Sequence, residues 1–213
     1  MNENQLRDFA QNAQRLIDQG AVEGRLRHYL SAYLSEIFPD HPWWLEAHLQ
    51  GTEEHVRFAG NSGDRTGFVD AVVGKTAIEY EKNLTIQGIF NEGYHQVEEY
   101  CAALCNAGVP ENEVLGVLSD TVRWYGYKVR IVSENTENRL LGPDDVELEQ
   151  VCFVDLSVDR HEEFMKFDTF INRFLARDAS RLLNANTLVL DFCIDSTFYR
   201  KNQTAFRLAV ENA

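Results

Sequence analysis

Bases are scarce in this chain: 20 Lys and Arg stand against 34 Asp and Glu, a formal net charge of −14. A protein that grips nucleic acid unaided usually shows a basic footprint, so this balance argues against a free-standing nucleic-acid binder. Long apolar runs are missing too. None approaches the ~20 residues of a membrane span, and the polar start MNENQLRDFAQNAQ has no signal-peptide core. Both absences predict a cytoplasmic protein. The four cysteines, Cys101, Cys105, Cys152 and Cys193, include no Cys-x-x-Cys pair, so no zinc-knuckle pattern is present. Cys101 and Cys105 stand one helical turn apart, as on a buried helix face in a reducing compartment. No internal repeat is visible. The 213 residues are 44% hydrophobic and 11% aromatic, which excludes a disordered chain and allows one core, or one domain with an appendage.

Most of the functional information lies in GFVDAVVGKTAIEYEKNL and the following GYHQVEEYCAAL. Phe68, Val69, Val72 and Val73 predict a strand over 67–73 buried on both faces. Gly74 and Lys75 read as a two-residue hairpin connection. Residues 76–82 then alternate, with Ala77, Glu79 and Glu81 on one face and Ile78, Tyr80 and Lys82 on the other. Asp70, Glu79 and Glu81 can therefore converge. Two bare charges about 4 Å apart repel by roughly 1 kcal/mol in water and about 4 kcal/mol near a protein surface. A cation, a lysine or a shared proton has to relieve this, unless one strand is an edge and its acids are merely solvated. Hard oxygen ligands with open positions suit Mg²⁺ or Mn²⁺ and imply metal-assisted attack of water on a phosphodiester.

Elsewhere, helices are predicted over 3–19 and 21–37, broken at Gly20. Leu26, Leu30, Tyr33, Leu34 and Ile37 form the stripe of the second, Glu23 lies near its start, and Pro39 and Pro42 end it. WWLEAHLQ reads as a short strand or irregular segment. His41, His48 and His55 recur at seven-residue intervals, but Pro42 and Gly51 break any helix joining them, and they read as unrelated. Residues 59–67 read as a Gly-, Asn- and Ser-rich loop. A helix over 87–107 presents Tyr94, Val97, Cys101 and Leu104 to the core. Strands follow at 114–118 and 122–132, joined by a turn at Ser119, Asp120 and Thr121. Residues 133–150 read as polar loop with at most an edge strand, and 151–156 as a further strand. Residues 160–177 form an amphipathic helix burying Phe164, Phe167, Phe170, Ile171, Phe174 and Leu175. The character changes near residue 180. A main domain over 1–180 is expected, with 181–213, including the apolar 187–194, as an extension or the start of a linker to a following domain.

Two motifs stand out. Val73, Gly74, Lys75 and Thr76 look like the tail of a phosphate-binding loop, but Val69 occupies the position of the required first glycine. Asp70, then Glu79 with Glu81 and Lys82, then Gln96-x-x-x-Tyr100 form an ordered set, with Gln96 and Tyr100 one turn apart on a single helix face. In this order and spacing the chain resembles the PD-(D/E)XK, or restriction-endonuclease-like, nuclease superfamily over about residues 20–175. Asp70 matches the first acid and Glu79 the second. Gln96 and Tyr100 match the Gln-x-x-x-Tyr of RecB-type nucleases and many restriction subunits, and Glu23 matches an accessory acid more weakly. VLGVLSDTVRWYGYKV resembles the strand pair that follows these motifs in type I restriction enzymes, with Ser119, Asp120 and Thr121 where Thr-Asn-Gly is more usual. One position departs: the usual lysine two residues after the second acid is Glu81, with Lys82 one later.

The resemblance implies an α/β fold with a central mixed β-sheet flanked by helices, and a Mg²⁺- or Mn²⁺-dependent DNA endonuclease domain. Asp70 and Glu79 would bind metal, with the Tyr80 carbonyl, Glu81 and Glu23 as further ligands. Glu81 and Lys82 would share water activation and charge stabilisation, while Gln96 and Tyr100 orient the site. Lys82 would have to reach round from the opposite face, or a bulge re-aim it. Such a domain would be the N-terminal module of a restriction or anti-phage defence enzyme, its DNA held by other domains or subunits. Double-strand cutting would call for a homodimer or a second nuclease. The alternatives are a catalytically inactive module for protein interaction or DNA positioning, and an unrelated α/β protein with surface acids.

Overall fold

Asn2 opens the first helix, α1 (Glu3–Asp18), by accepting the Asn4 N–H at 3.0 Å on its side chain. Leu6, Phe9, Ala10, Ala13 and Ile17 recur at helical spacing and are buried. Gly20, at φ +71°, separates α1 from α2 (Glu23–Ile37), which buries Leu26, Leu30, Tyr33 and Leu34. Both helices follow the sequence expectation. The computed structural model describes residues 2–40, 42–50, 54–60, 63–133 and 139–176. His41 and the expected extension at 181–213, with its apolar 187–194, lie outside them.

WWLEAHLQ is a helix, α3 (Trp43–Gln50), and not the strand or irregular segment expected. The Pro42 carbonyl accepts the Leu45 and Glu46 N–H groups at 2.8 and 3.2 Å, and Trp44, Leu45 and His48 are buried at helical spacing. Burial of that face outweighs the β-preference of the tryptophans.

Of the residues expected as a loop at 59–67, the described ones, 59–60 and 63–67, belong instead to a strand pair. β1 (Glu54–Gly60) runs antiparallel to β2 (Gly63–Val69), with Glu54 opposite Val69 and Gly60 opposite Gly63. The strand expected through 67–73 is divided at Asp70. β2 stops at Val69, and β3 (Ala71–Val73) enters a second sheet. Phe68 is 51% exposed, so this segment is not buried on both faces as expected.

The second sheet runs in the order β3-β4-β5-β6-β7, with β4 (Thr76–Tyr80), β5 (Leu115–Ser119), β6 (Arg123–Ile131) and β7 (Val146–Asp155). Gly74, at φ +63°, gives the β3–β4 connection its left-handed first position, and Val73 pairs with Thr76. β4 and β5 are parallel, and the other neighbours antiparallel. The parallel pair needs a crossover, which α4 (Gln87–Asn106) supplies. β7 starts well before the expected Val151, out of a segment expected as loop. Val146 and Leu148 are buried while Glu147 and Glu149 are exposed, a two-residue period.

Strand alternation divides the core. Ile78, Tyr80, Val117, Trp124 and Val154 join the side chains of α1, α2 and α3. They also meet α5 (His161–Phe170) and the π-helical turn Ile171–Leu175 that continues it, where the predicted Phe164, Phe167, Phe170, Ile171, Phe174 and Leu175 are all buried. On the other side, Val97 and Cys101 of α4 pack with Leu118, Tyr127, Val129 and Leu148. The result is a mixed α/β fold around a five-strand sheet. Among the described residues no helix is long and apolar enough to cross a membrane.

Candidate acidic site

Asp70 sits where the chain leaves one sheet for the other. Its Oδ2 accepts the Tyr80 N–H at 2.9 Å, so the side chain fills a backbone position at the end of the β3–β4 ladder. Its Oδ1 accepts from Arg27 Nη1 at 2.6 Å, and its backbone carbonyl accepts from Arg27 Nη2 at 2.9 Å. Arg27 comes from α2, one turn after Glu23. The same Nη1 lies 3.6 Å from Glu23 Oε1, and the guanidinium lies 5.7 Å from the Tyr80 ring centroid. One cation thus spans two of the predicted acids.

Glu79 projects from β4 on the face of Ala77, away from the core side chains Ile78 and Tyr80. It is 6% exposed, and its Oε2 is buried with no hydrogen-bond partner. Burial, then the neighbouring charges of Asp70, Glu23 and Glu81, push its carboxyl up to about 10, against a smaller opposing pull from Arg27. Glu79 therefore carries its proton at neutral pH. Glu81 follows on the same face just past the strand, and its N–H donates to the Ser119 carbonyl at 2.8 Å. Burial, then Glu23 and Glu92, raise its carboxyl to about 7, opposed by the Lys82 N–H and ammonium.

α4 closes this face by close approach. A Cβ on Gly93 would stand 2.9 Å from Glu81 Cγ, 3.2 Å from Glu81 Oε1 and 2.7 Å from Leu118 Cδ1. Only glycine lets the helix lie this near the acids. One turn on, Gln96 lies near the Tyr100 hydroxyl and opposes the rise in its pKa, and that hydroxyl donates to the Phe68 carbonyl at 2.7 Å. Tyr100 thereby ties α4 to β2 two residues before Asp70. Tyr100 packs with Ala77 and Val69, and after burial the Glu79 charge is the largest influence raising its phenol.

The predicted residues are therefore gathered by chain segments far apart in sequence. Glu23, Asp70 and Glu81 all lie close enough to act on the charge of Glu79. Tyr100 braces the strand beside them, with Gln96 one turn earlier on α4. Lys82 is exposed, and β4 pairs with β5 in unbroken register through Tyr80, so no bulge re-aims it. The sequence reading omitted Arg27. Its signal was the Glu23–Arg27 spacing of an i, i+4 ion pair at the edge of the Leu26–Leu30 stripe. His48, read as unrelated to the other histidines, contacts the Tyr80 hydroxyl at 2.7 Å from Nε2.

Oxygen donors of this kind suit a hard divalent cation, and an unpartnered buried carboxyl beside other acids fits such an ion chemically. Among the described residues, no three His, Cys, Asp or Glu side chains are grouped ready to hold a metal; Asp70 is turned to Arg27 and Tyr80 instead. Compared with protein-family models, curated proteins and solved structures, the chain matches none.

Proposed function

We propose that this chain is a Mg²⁺- or Mn²⁺-dependent DNA endonuclease domain of restriction-endonuclease-like fold, the N-terminal module of a restriction or anti-phage defence enzyme. The observation that carries the reading is Glu79. A nearly buried carboxyl with an unpartnered oxygen, pressed by three other acids, costs stability. Strain of this kind persists where function requires it. Thr121 adds support: it adopts φ +73° at the place where the resembling pattern carries glycine.

Asp70 and Glu79 would hold the ion, with Glu81, Glu23 and the Tyr80 carbonyl completing its shell. The ion would supply Lewis-acid polarisation of the phosphate and a more acidic bound water. Glu81, shifted towards neutrality, suits a general base. Its carboxylate takes a proton from water as the water oxygen bonds to phosphorus. The bond from phosphorus to the departing sugar oxygen breaks, and that oxygen takes up a proton from solvent. Lys82 offers positive charge at the exposed rim, and Gln96 with Tyr100 keeps the Asp70 strand in place. With a net charge of −14, the DNA would be held chiefly by other domains or subunits of the enzyme, or across a homodimer.

The test is plasmid cleavage by the chain, and by its parent protein, in Mg²⁺ or Mn²⁺. Cutting that disappears in Asp70→Asn supports the reading. Intact plasmid in both, or an Asp70→Asn variant that cuts like wild type, sinks it. A second reading, an inactive module for protein interaction or DNA positioning, is favoured by the Arg27–Asp70 pairing and by glutamate at the usual lysine position. Absence of divalent-ion binding by a folded chain would decide for it.

A further inference from the structure

We propose that Arg27 is the resident counter-cation of the acidic site, and that a divalent ion binds there only by displacing its guanidinium. The inference rests on the metal-dependent reading above. Arg27 takes up Asp70 at two points, the carboxylate Oδ1 at 2.6 Å and the backbone carbonyl at 2.9 Å. It also stands 3.6 Å from Glu23 Oε1. Asp70 Oδ2 is taken by the Tyr80 N–H and Oδ1 by the guanidinium, so a divalent ion held by this carboxylate would compete with Arg27, and two cations on one carboxylate repel.

A second observation points to an ion and not merely to a structural pair. Glu79, 6% exposed, keeps a buried Oε2 without any partner beside the same acids. Arg27 satisfies Asp70 and leaves Glu79 unsatisfied, so a single guanidinium does not complete the site. The arginine has a way out. Its side chain is 25% exposed, on a flexible stem, with Glu23 one turn earlier on the same helix. Displacement outward into solvent releases Asp70 and leaves Glu23, one of the proposed ligands, to the ion. Arg27 is thus an affinity-setting residue, and its removal has a sign that distinguishes it from a scaffold residue. Loss of scaffolding loosens the site and weakens ion binding; loss of a competing cation tightens it.

The experiment titrates the metal-depleted chain with Mn²⁺ alone, following free Mn²⁺ by electron paramagnetic resonance. Wild type, Arg27→Met, Arg27→Lys and Asp70→Asn are compared, with circular dichroism as the folding control. Arg27→Met should bind Mn²⁺ at least tenfold tighter than wild type, and adding Asp70→Asn should abolish the gain. Arg27→Lys cannot span both Asp70 contacts and should bind at least threefold tighter, which keeps the test valid if the methionine variant fails to fold. If wild type binds Mn²⁺ and the Arg27 variants bind equally or more weakly, the counter-cation role is overturned while the metal site stands. If folded wild type and Arg27 variants all fail to bind, both ideas fall.

Discussion

Replacing Glu79 by glutamine should stabilise the metal-free protein, and the gain should depend on pH. The folded carboxyl titrates near 10, against an ordinary 4.5. Below pH 4.5 both folded and unfolded chains carry the proton, and suppressing the charge of Glu79 costs nothing. Between the two values the unfolded chain ionises while the folded one stays protonated, so stability falls as pH rises, by up to about 1.4 kcal/mol per pH unit. At pH 7.5 the penalty reaches about 2–4 kcal/mol, the lower end applying where the surroundings relax around the ionised carboxylate. Glutamine has nearly the same shape and no charge to suppress. Glu79→Gln should therefore match wild type near pH 4.5 and exceed it by about 2–4 kcal/mol at pH 7.5, a rise in Tm of roughly 5–10 °C for a chain of this size. Urea unfolding from pH 4.5 to 8.5 in the presence of a chelator measures it. Equal stability at pH 7.5, or a difference that does not change with pH, would refute a buried, protonated Glu79.

Further predictions follow from the same geometry. Asp70→Asn and Glu81→Gln should each lower metal-dependent DNA cleavage at least a hundredfold, about 3 kcal/mol of barrier, measured as plasmid nicking rates. Gly93→Ala should lose cleavage too. Its methyl group, 2.9 Å from Glu81 Cγ and 2.7 Å from Leu118 Cδ1, should cost about 1–3 kcal/mol of overpacking, exceeding the ~1 kcal/mol that alanine gains in a helix; thermal unfolding reads the net loss. Thr121→Gly should stabilise by roughly 1 kcal/mol in denaturant melts. It relieves a left-handed backbone at φ +73° and removes a buried hydroxyl without a partner, against a smaller loss of packing and entropy.

The parts of the fold legible in the sequence were those where one apolar period decides the structure. α1, α2, α4 and the phenylalanine-rich helix from His161 all show a helical stripe, and those stripes are buried. The Gly74–Lys75 connection was legible because two residues between alternating segments leave few alternatives. The β1–β2 pair was hidden, since backbone hydrogen bonds hold a strand whose side chains spell a loop. α3 was hidden by two tryptophans of high strand preference and by its short length. β7 showed its alternation from Val146, but the acidic residues between its apolar ones read as solvent-exposed loop.

For the site, the order of Asp70, Glu79, Glu81, Gln96 and Tyr100 named residues that the fold brings to one region. The break at Asp70 was not legible, because nothing in GFVDAVV marks where one sheet gives way to another. Nor was Arg27. Its role depends on α2 bringing Arg27 onto Asp70, a tertiary fact that an i, i+4 spacing only hints at.

The claim on which everything rests is that Asp70 and Glu79 share a seat for a divalent ion. Crystals of the chain soaked in Mn²⁺ and measured at the manganese absorption edge test it most directly. The account predicts an anomalous peak within bonding distance of both carboxylates, with the Arg27 guanidinium moved off Asp70. Strong data showing no peak there, and Arg27 still on Asp70, would contradict it.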